Sequence, residues 1–510
     1  MEVAMSFMRR FAAAGAAAIL LAAAPAAQAE LTARGLWEKY RDLVTAGGGT
    51  VTVTERREGD TLVLEDLRLV TPPQKDAPRG EMRVDWVRLQ ERLDGTVRIT
   101  LAPSAEMRFQ PIEPAGAPAV RVLIEQEGAL TDVREEANGD IVIRGEIARL
   151  VARSAAADGT PPPVPFTLEF GGLTQSGRLA FPDPETIVSI ASMDAASYRL
   201  DIDGTDPQSG NRVRAHHEAR DVGITANLRM PRAAMGANGQ NADALALGMA
   251  LEVEMRAGEG RDFHEVTEAG QGGEQTSVVE MRSKDALFGV RLRREEMAFE
   301  FGIGAPVVRV ASPQLPFGEV SASAERVGFR LALPMDAVEE PGPWSFAVTL
   351  AGIMPGDMVW QMFDPSGMLP HDPATAIVET AGRLRWTRSP WGENNGAKPI
   401  PESAELRKLE IRLLGAELTG TGALTFDPSD TVTYDGMPKP EGGFDLRLRG
   451  IYGLMDKLSQ MGLLPPDAVT TAGAMLGVFA RPAPEGGDNL TSRIEFTADG
   501  RVLANGQPLQ

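Results

Sequence analysis

Apolar and polar residues alternate along most of the chain, with the period of two that is typical of half-buried strands. The clearest example is the run Val327, Phe329, Leu331, Leu333, and the same alternation fills residues 50–101 and returns at Phe444, Leu446 and Leu448. Short turn sequences separate the runs. This pattern predicts long antiparallel meanders, in which each sheet has one apolar and one polar face.

A few segments instead show the spacing of an amphipathic helix. In residues 31–46, Leu36, Trp37, Tyr40, Leu43 and Val44 share one face, and glycines follow directly. Further short helices are predicted at residues 241–247, 357–363, 451–461 and 467–479. Two of them lie close to the end of the chain, so we expect a helix pair there.

Turns and loops are indicated by glycine, proline, aspartate and asparagine. Hairpin turns are predicted at residues 58–60, 94–95 and 138–140, and a flexible loop at the polar, glycine-rich residues 258–275. The prolines at 161–163 and 165 mark a linker or an edge, because proline cannot serve in a central strand. The glycines within residues 417–424 predict a bulge or close backbone packing.

The predicted fold class is therefore mainly β, a β-rich α+β protein. Its meander sheets would form a curved groove, a barrel or a sandwich capped by a few short amphipathic helices. The expected segments are residues 1–29, 30–160, 161–340 and 341–510, although the last three could be one continuous elongated domain.

The first 29 residues predict a signal peptide. Arg9 and Arg10 precede an apolar stretch at residues 11–24, which is shorter than the roughly 20 residues needed to span a bilayer. Ala27 and Ala29 then form a cleavage site before Glu30. The alternatives are a buried N-terminal helix or an uncleaved anchor. Export to the periplasm, with no transmembrane segment after cleavage, is the expectation.

Composition narrows the function classes. With 51 Lys+Arg against 71 Asp+Glu, the 510-residue chain has a net charge of -20, the wrong sign for binding nucleic acid. An anionic membrane surface would also repel it, unless cations cluster locally. Cysteine is absent, which excludes disulfides, thiol catalysis and cysteine-ligated metals.

No motif in the sequence predicts a reaction, a cofactor or a metal. The four histidines (His216, His217, His264, His371) lack the spacing of a zinc site, so we expect them to be solvated or in turns. Residues 201–206 weakly resemble a calcium loop, but an acidic β-turn is the simpler interpretation. Acidic residues are abundant, yet no pair of them can be assigned to hydrolysis.

Several segments resemble an uncharacterised family of alphaproteobacterial envelope proteins, a domain of unknown function. The shared features are turns and caps at residues 57–62, 368–386, 435–446, 463–465, 494–500 and 504–507. That family is similar to the AsmA-like group, elongated β-groove proteins linked to lipid traffic and outer-membrane assembly. Larger AsmA-like proteins carry an N-terminal membrane anchor, whereas this chain is expected to be cleaved.

Three functions follow as hypotheses. The first is a non-enzymatic periplasmic protein that holds lipid or another amphiphile in a β-groove, and it requires a contiguous apolar concavity rather than a filled core. The second is a structural or chaperone-like factor that binds envelope proteins, for instance by strand addition. The third is a hydrolase with an unrecognised carboxylate site, which requires clustered acids with raised pKa values.

Overall fold

The computed structural model describes residues 31–509 apart from 47, 72–78, 111–118, 158, 160, 163, 207–208, 237–240, 271–272 and 392–395. Strands account for 64% of the structure and helices for 11%, which confirms the mainly β class. By its internal contacts the chain divides into two compact units between Thr276 and Ser277. The predicted segment boundaries at 160/161 and 340/341 each fall inside one of these units.

Unit 1, the described residues up to Thr276, opens with helix α1 (Ala33–Ala46) and continues as antiparallel strands. Their bounds are β1 (Thr50–Glu58), β2 (Thr61–Thr71), β3 (Arg79–Glu91), β4 (Val97–Leu101), β5 (Ser104–Gln110), β6 (Val120–Glu127), β7 (Leu130–Glu135), β8 (Ile141–Ala155), β9 (Phe166–Asp183), β10 (Thr186–Thr205), β11 (Arg212–Pro231), β12 (Ala250–Ala257) and β13 (Gly260–Gly270). A 3₁₀ turn (Arg232–Gly236) and helix α2 (Asn241–Ala246) separate β11 from β12.

Unit 2 starts within β14 (Gly273–Ser283) and is again an antiparallel meander. Its strands are β15 (Asp285–Leu292), β16 (Glu296–Gly304), β17 (Val307–Ala311), β18 (Glu319–Ser323), β19 (Arg326–Pro334), β20 (Gly342–Pro355), β21 (Ala374–Trp386), β22 (Pro399–Leu413), β23 (Ala416–Asp427), β24 (Lys439–Arg449), β25 (Arg481–Pro482), β26 (Asn489–Phe496), β27 (Val502–Ala504) and β28 (Gln507–Pro508). Its helices are α3 (Asp357–Phe363), α4 (Ile451–Gln460) and α5 (Pro466–Phe479).

The five predicted helices and the three predicted hairpin turns are all confirmed. The N–H of Gly49 donates to the carbonyl oxygen of Val44 at 2.8 Å, so α1 ends on glycine as expected. The glycines of β23 are confirmed as sites of close packing, because a Cβ on Gly422 would lie 2.4 Å from the carbonyl oxygen of Gly443. The described residues 161, 162, 164 and 165 lie outside the strands, between β8 and β9.

Two local predictions are wrong. The segment 258–275 is not a flexible loop, because β13 pairs with β11 from Gly260 to Thr267. Its backbone hydrogen bonds and its ion pairs with β11 stabilise a strand that has too few apolar residues to show alternation. The acidic stretch Asp201–Thr205 is likewise not a turn but the end of β10, paired with β11. The turn begins only at Asp206, whose N–H donates to the carbonyl oxygen of Asn211.

The hydrophobic core of unit 1 is closed where α1 covers the first strands. Leu36 and Trp37 of α1 pack on β2 and β3, whose side chains Leu62, Leu64 and Leu89 are almost completely buried. The cluster is completed from later strands by Val97, Val133, Ile141, Leu179 and Ile187. Here a helix provides the second layer that an apolar sheet face requires.

Candidate functional site

One face of the unit 2 sheet is apolar across eight strands or more. Residues paired directly across antiparallel strands share a face, so the strand register defines rows of neighbouring side chains. The central row runs from β15 to β24 and consists of Phe288, Phe301, Phe329, Val348, Val378, Leu409, Gly420 and Leu446. We call this row and its two flanking rows the apolar face.

The flanking rows have the same character. One contains Val290, Phe299, Leu331, Phe346, Thr380, Leu406, Gly422, Phe444, Ile494 and Ala504. The other contains Ala286, Ile303, Val327, Leu350, Ala376, Ile411, Leu418, Leu448 and Leu490. Thr380 is the single polar side chain in these two rows.

The apolar face lacks a covering layer over part of its area, most clearly on β15, β16 and β19. Phe288 is 43% exposed, Phe301 40% and Phe329 37%, and Ile411 in the adjoining row is 38% exposed. Side chains of this size in a filled core are fully buried, as Leu62 and Leu64 are in unit 1. The contacts that hold these aromatic rings are therefore mostly with neighbours on the same sheet, such as the edge-to-face pair of Phe329 and Phe346 at 5.8 Å.

The opposite face of the same sheet is polar and internally paired. At its C-terminal end Arg493 binds Asp445 at 2.8 Å and Glu495 at 2.8 Å. These residues line an open cavity of about 690 Å³, together with Glu405, Arg407 and Glu441. Gly442 and Gly443 also line it. The hydrogen bonds that Arg493 donates to Glu495 and Asp445 raise the pKa of its guanidinium.

Carboxyl groups with shifted pKa values are shifted toward ionisation. Hydrogen bonds from arginine lower the pKa of Glu81, Glu106 and Asp132, and a lysine does the same for Glu410. A general acid requires the opposite shift. These carboxyls therefore give the hydrolase hypothesis no support.

A buried aspartate fixes the loop after α3. Asp364 accepts hydrogen bonds from the N–H groups of Met368 at 2.9 Å and Leu369 at 2.7 Å, and His371 Nε2 lies 3.2 Å from the same carboxylate. Burial alone would raise the pKa of Asp364, but these hydrogen bonds together lower it. Trp360 stacks on the His371 ring at 3.9 Å. The arrangement closes a structural turn rather than opening a cleft.

Comparison with known proteins finds one family that this part of the chain resembles. Residues 271–509 match the DUF2125 family. The family is described as an uncharacterized protein conserved in bacteria. The match begins a few residues before unit 2 and contains the whole apolar face. Neither the curated proteins nor the solved structures include a match to the chain.

Outside the DUF2125 domain, unit 1 carries a cluster of titratable side chains on one sheet face. His217 Nδ1 lies 2.6 Å from Asp262 Oδ1, and the rings of His217 and His264 meet edge to face at 4.6 Å. Burial, and secondarily the charge of Asp262, raises the pKa of Tyr198 to about 12. Burial also lowers the pKa of His264, and His217 adds to that effect.

The predicted positions of the histidines need correction. His216, His217 and His264 lie within β11 and β13 rather than in turns, because backbone pairing with neighbouring strands holds them there. The His216 side chain is nevertheless 37% exposed, and His371, in the loop after α3, is 40% exposed, so these two agree with the expectation of solvated or turn histidines. His216 and His217 face opposite ways, since they bind Asp201 and Asp262 respectively. Among the described residues, no group of three or more His, Asp or Glu side chains is placed to hold a metal ion.

The predicted cleavage residues Ala27, Ala29 and Glu30 lie outside the part of the chain that the structure describes. No helix in the described part is both long and apolar enough to cross a membrane.

The apolar face was only partly predictable from the sequence. Alternation in each strand was visible in the sequence, but the register that aligns Phe288, Phe301 and Phe329 depends on pairing between distant segments.

Proposed function

We propose that the DUF2125 domain binds a lipid or another amphiphile on its apolar face, as part of a non-enzymatic protein of the periplasm. The observation that carries the proposal is the exposure of the central aromatic row, Phe288, Phe301 and Phe329. Contiguous exposed apolar surface of this extent is typical of binding sites rather than of ordinary protein surface.

The energetic gain from covering this row is large enough for binding. Shielding about two-fifths of three phenylalanine side chains removes roughly 200–300 Å² from water, since each side chain offers about 150–250 Å². At about 25 cal/mol per Å² this contributes roughly 5–7 kcal/mol before the cost of immobilising the ligand. A flexible acyl chain can lie along these rows without needing hydrogen-bonding partners.

Two further points favour this function. The resemblance to an alphaproteobacterial envelope family, which is itself similar to the AsmA-like group, suggests a role in lipid traffic, in which a cleaved chain would shuttle its ligand or work beside an anchored partner. The signal-peptide pattern ending at Ala29 would export the chain to the compartment where such traffic occurs.

The test is to measure bound lipid. The mature chain is purified gently from an envelope extract, and its ligands are identified by native mass spectrometry and organic extraction. We expect about one phospholipid or fatty acid per chain, which the double variant F301Q/F329Q loses. In titrations with a fluorescent fatty acid, that variant should bind at least tenfold more weakly, because two aromatic contacts are replaced by amides.

The matched control is E300Q/E379Q. Glu300 precedes Phe301 on β16, and Glu379 lies in the same cross-strand row of the polar face. This variant introduces the same side chain on the other side of the sheet and should bind as the wild type does. Equal binding by all three proteins, with unchanged circular dichroism, would refute the proposal.

The alternative is a structural or chaperone-like factor that binds envelope proteins. It would use the same exposed surface as a protein interface. A lipid-free mass together with stoichiometric capture of one envelope protein, abolished by F301Q/F329Q, would favour it over lipid binding.

A further inference from the structure

Helix α5 is predominantly apolar, with Asp467, Thr470 and Thr471 as its polar residues, and yet it has no buried residue. Between Asp467 and Arg481 its sequence contains no charged residue. A helix of this composition is normally buried inside a protein or a membrane, since a solvated helix carries polar residues on its outer face. The exposed side of α5 therefore lacks the protein or lipid contacts that normally cover a helix of this composition.

Exposed apolar residues lie at both ends of α5, and we call this surface of the hairpin the hairpin tip. Met475 is 58% exposed, Val478 51% and Phe479 42% in the last turn and a half of α5, and Leu463, in the connection from α4, is 55% exposed. Val478 and Phe479 follow Met475 by three and four residues, which places both beside it on the helix surface. Gly473 and Gly477 have open space where a Cβ would lie.

The inner side of α5 is held against the sheet beside the apolar face. Both Ser492 Oγ, at 2.5 Å, and Asn505 Nδ2, at 2.9 Å, donate to the carbonyl oxygen of Phe479. Ser492 pairs with Leu446 of the central row, so its side chain lies on the same face of the sheet. The C-terminal end of α5 is thus held beside the apolar face.

We propose that the hairpin tip of α4 and α5 inserts into the surface of a zwitterionic lipid bilayer. A protein groove covers one stripe of a docked helix, whereas a bilayer surface contacts a helix over a wider arc, which suits the predominantly apolar α5. At about 1.5 Å per residue its 14 residues extend roughly 21 Å, too short to span the roughly 30 Å core. The helix would therefore lie in the interface.

Charge identifies the kind of lipid surface. Residues 451–481 contain two acids, Asp456 and Asp467, and two bases, Lys457 and Arg481, so the hairpin has no net attraction to anionic headgroups. The whole chain has a net charge of -20 and would be repelled by them. Binding should accordingly be strongest on neutral phosphatidylcholine and insensitive to salt, because it depends on apolar insertion rather than counterion release.

The test is flotation of the full mature chain with phosphatidylcholine vesicles. We expect the wild type to float equally at about 0.1 and 0.5 M salt, a range over which surface electrostatics is strongly screened. The variant M475D/V478D should bind at least tenfold more weakly. The control V432D/M437D places the same charges at two other exposed apolar positions, 88% and 59% exposed, between β23 and β24, and should float as the wild type does.

A spectroscopic test uses the absence of cysteine. A single M475C or V432C substitution can be labelled with an environment-sensitive fluorophore, since the chain has no other thiol. The label at position 475 should shift to shorter wavelength on adding vesicles, and the label at 432 should not. Four results would each overturn the inference. Two concern the variants: equal responses of the two labels, or flotation of M475D/V478D as strong as that of the wild type. Two concern the wild type: binding only to anionic vesicles, or binding of a protein at the hairpin and of no vesicles.

This inference goes beyond the proposed function, and the two can fail separately. F301Q/F329Q should lose bound lipid but still float, whereas M475D/V478D should float poorly but retain bound lipid after purification. If F301Q/F329Q keeps its bound lipid, the amphiphile site is contradicted but membrane docking is not. If M475D/V478D floats as the wild type does, membrane docking is contradicted but the amphiphile site is not.

Discussion

Two imidazole rings meet on a sheet face of unit 1, where water is partly excluded. His264 shares this site with His217, Asp262 and Tyr198. Burial and the nearby His217 lower the pKa of His264, and Asp262 opposes them only in part. The folded chain therefore favours the neutral imidazole, while in the unfolded chain the group titrates near its ordinary value of 6.5.

This difference predicts an acid-dependent loss of stability. Because the unfolded chain binds the proton more tightly, the contribution of His264 is fully present above about pH 6.5 and is lost as the pH falls through the lower folded-state pKa. The thermal midpoint of the wild type should therefore fall between pH 7.5 and pH 5.5. H264Q should show a smaller fall. An identical fall in both proteins would exclude His264 as the cause, and above pH 7.5 the two should show parallel behaviour.

At the level of elements, glycine has two different roles in unit 2. Gly422 in β23 is a site of close approach, where a Cβ would lie 2.4 Å from the carbonyl oxygen of Gly443 and 2.7 Å from the Cα of Phe444. Gly477 in α5 has no atom within 4 Å of the corresponding position. The same residue type thus permits tight strand packing in one element and merely lowers helix stability in the other.

A pair of alanine substitutions separates these roles. G422A should destabilise unit 2, because backbone atoms of β24 cannot move without breaking the strand ladder. G477A should stabilise the protein by about 0.5–1 kcal/mol, the difference in helix propensity between the two residues. Chemical denaturation of both variants would measure this. If G422A were as stable as the wild type, the assignment of Gly422 to close packing would be wrong.

At the scale of the whole molecule, the two units use their apolar surface differently. In unit 1, α1 closes a core in which Leu62 and Leu64 are almost completely buried. In unit 2, described helices leave the aromatic row Phe288, Phe301 and Phe329 near 40% exposed. Strands with similar alternation therefore produce a filled core in one unit and an open surface in the other.

Matched truncations should reveal this contrast. L64A removes a side chain that is 1% exposed and should cost about 2–5 kcal/mol, through lost burial and a residual cavity. I411A removes a side chain of equal size that is 38% exposed, and it should cost only about 1 kcal/mol, because solvent already contacts the site. Equal losses in denaturant titrations would indicate that the apolar face is covered, as in an ordinary core.

Several features of this protein followed from the sequence alone. The period-two alternation determined the mainly β class, and the helical spacing located α1, α3, α4 and α5, because both depend on neighbours within a few residues. Glycine and aspartate marked the hairpin turns for the same reason. Two local predictions were wrong, at Asp201–Thr205 and at residues 258–275, where pairing with β11 outweighs a composition that resembles turns and loops.

Only the tertiary structure decided which apolar faces are covered. Alternation shows that a strand has an apolar side, but it does not reveal whether a second layer packs on that side. The alignment of Phe288, Phe301 and Phe329 requires the register of three strands, and the exposure of Met475 requires knowing that nothing in the described chain packs over α5. Both depend on contacts between residues far apart in sequence, which local periodicity does not encode.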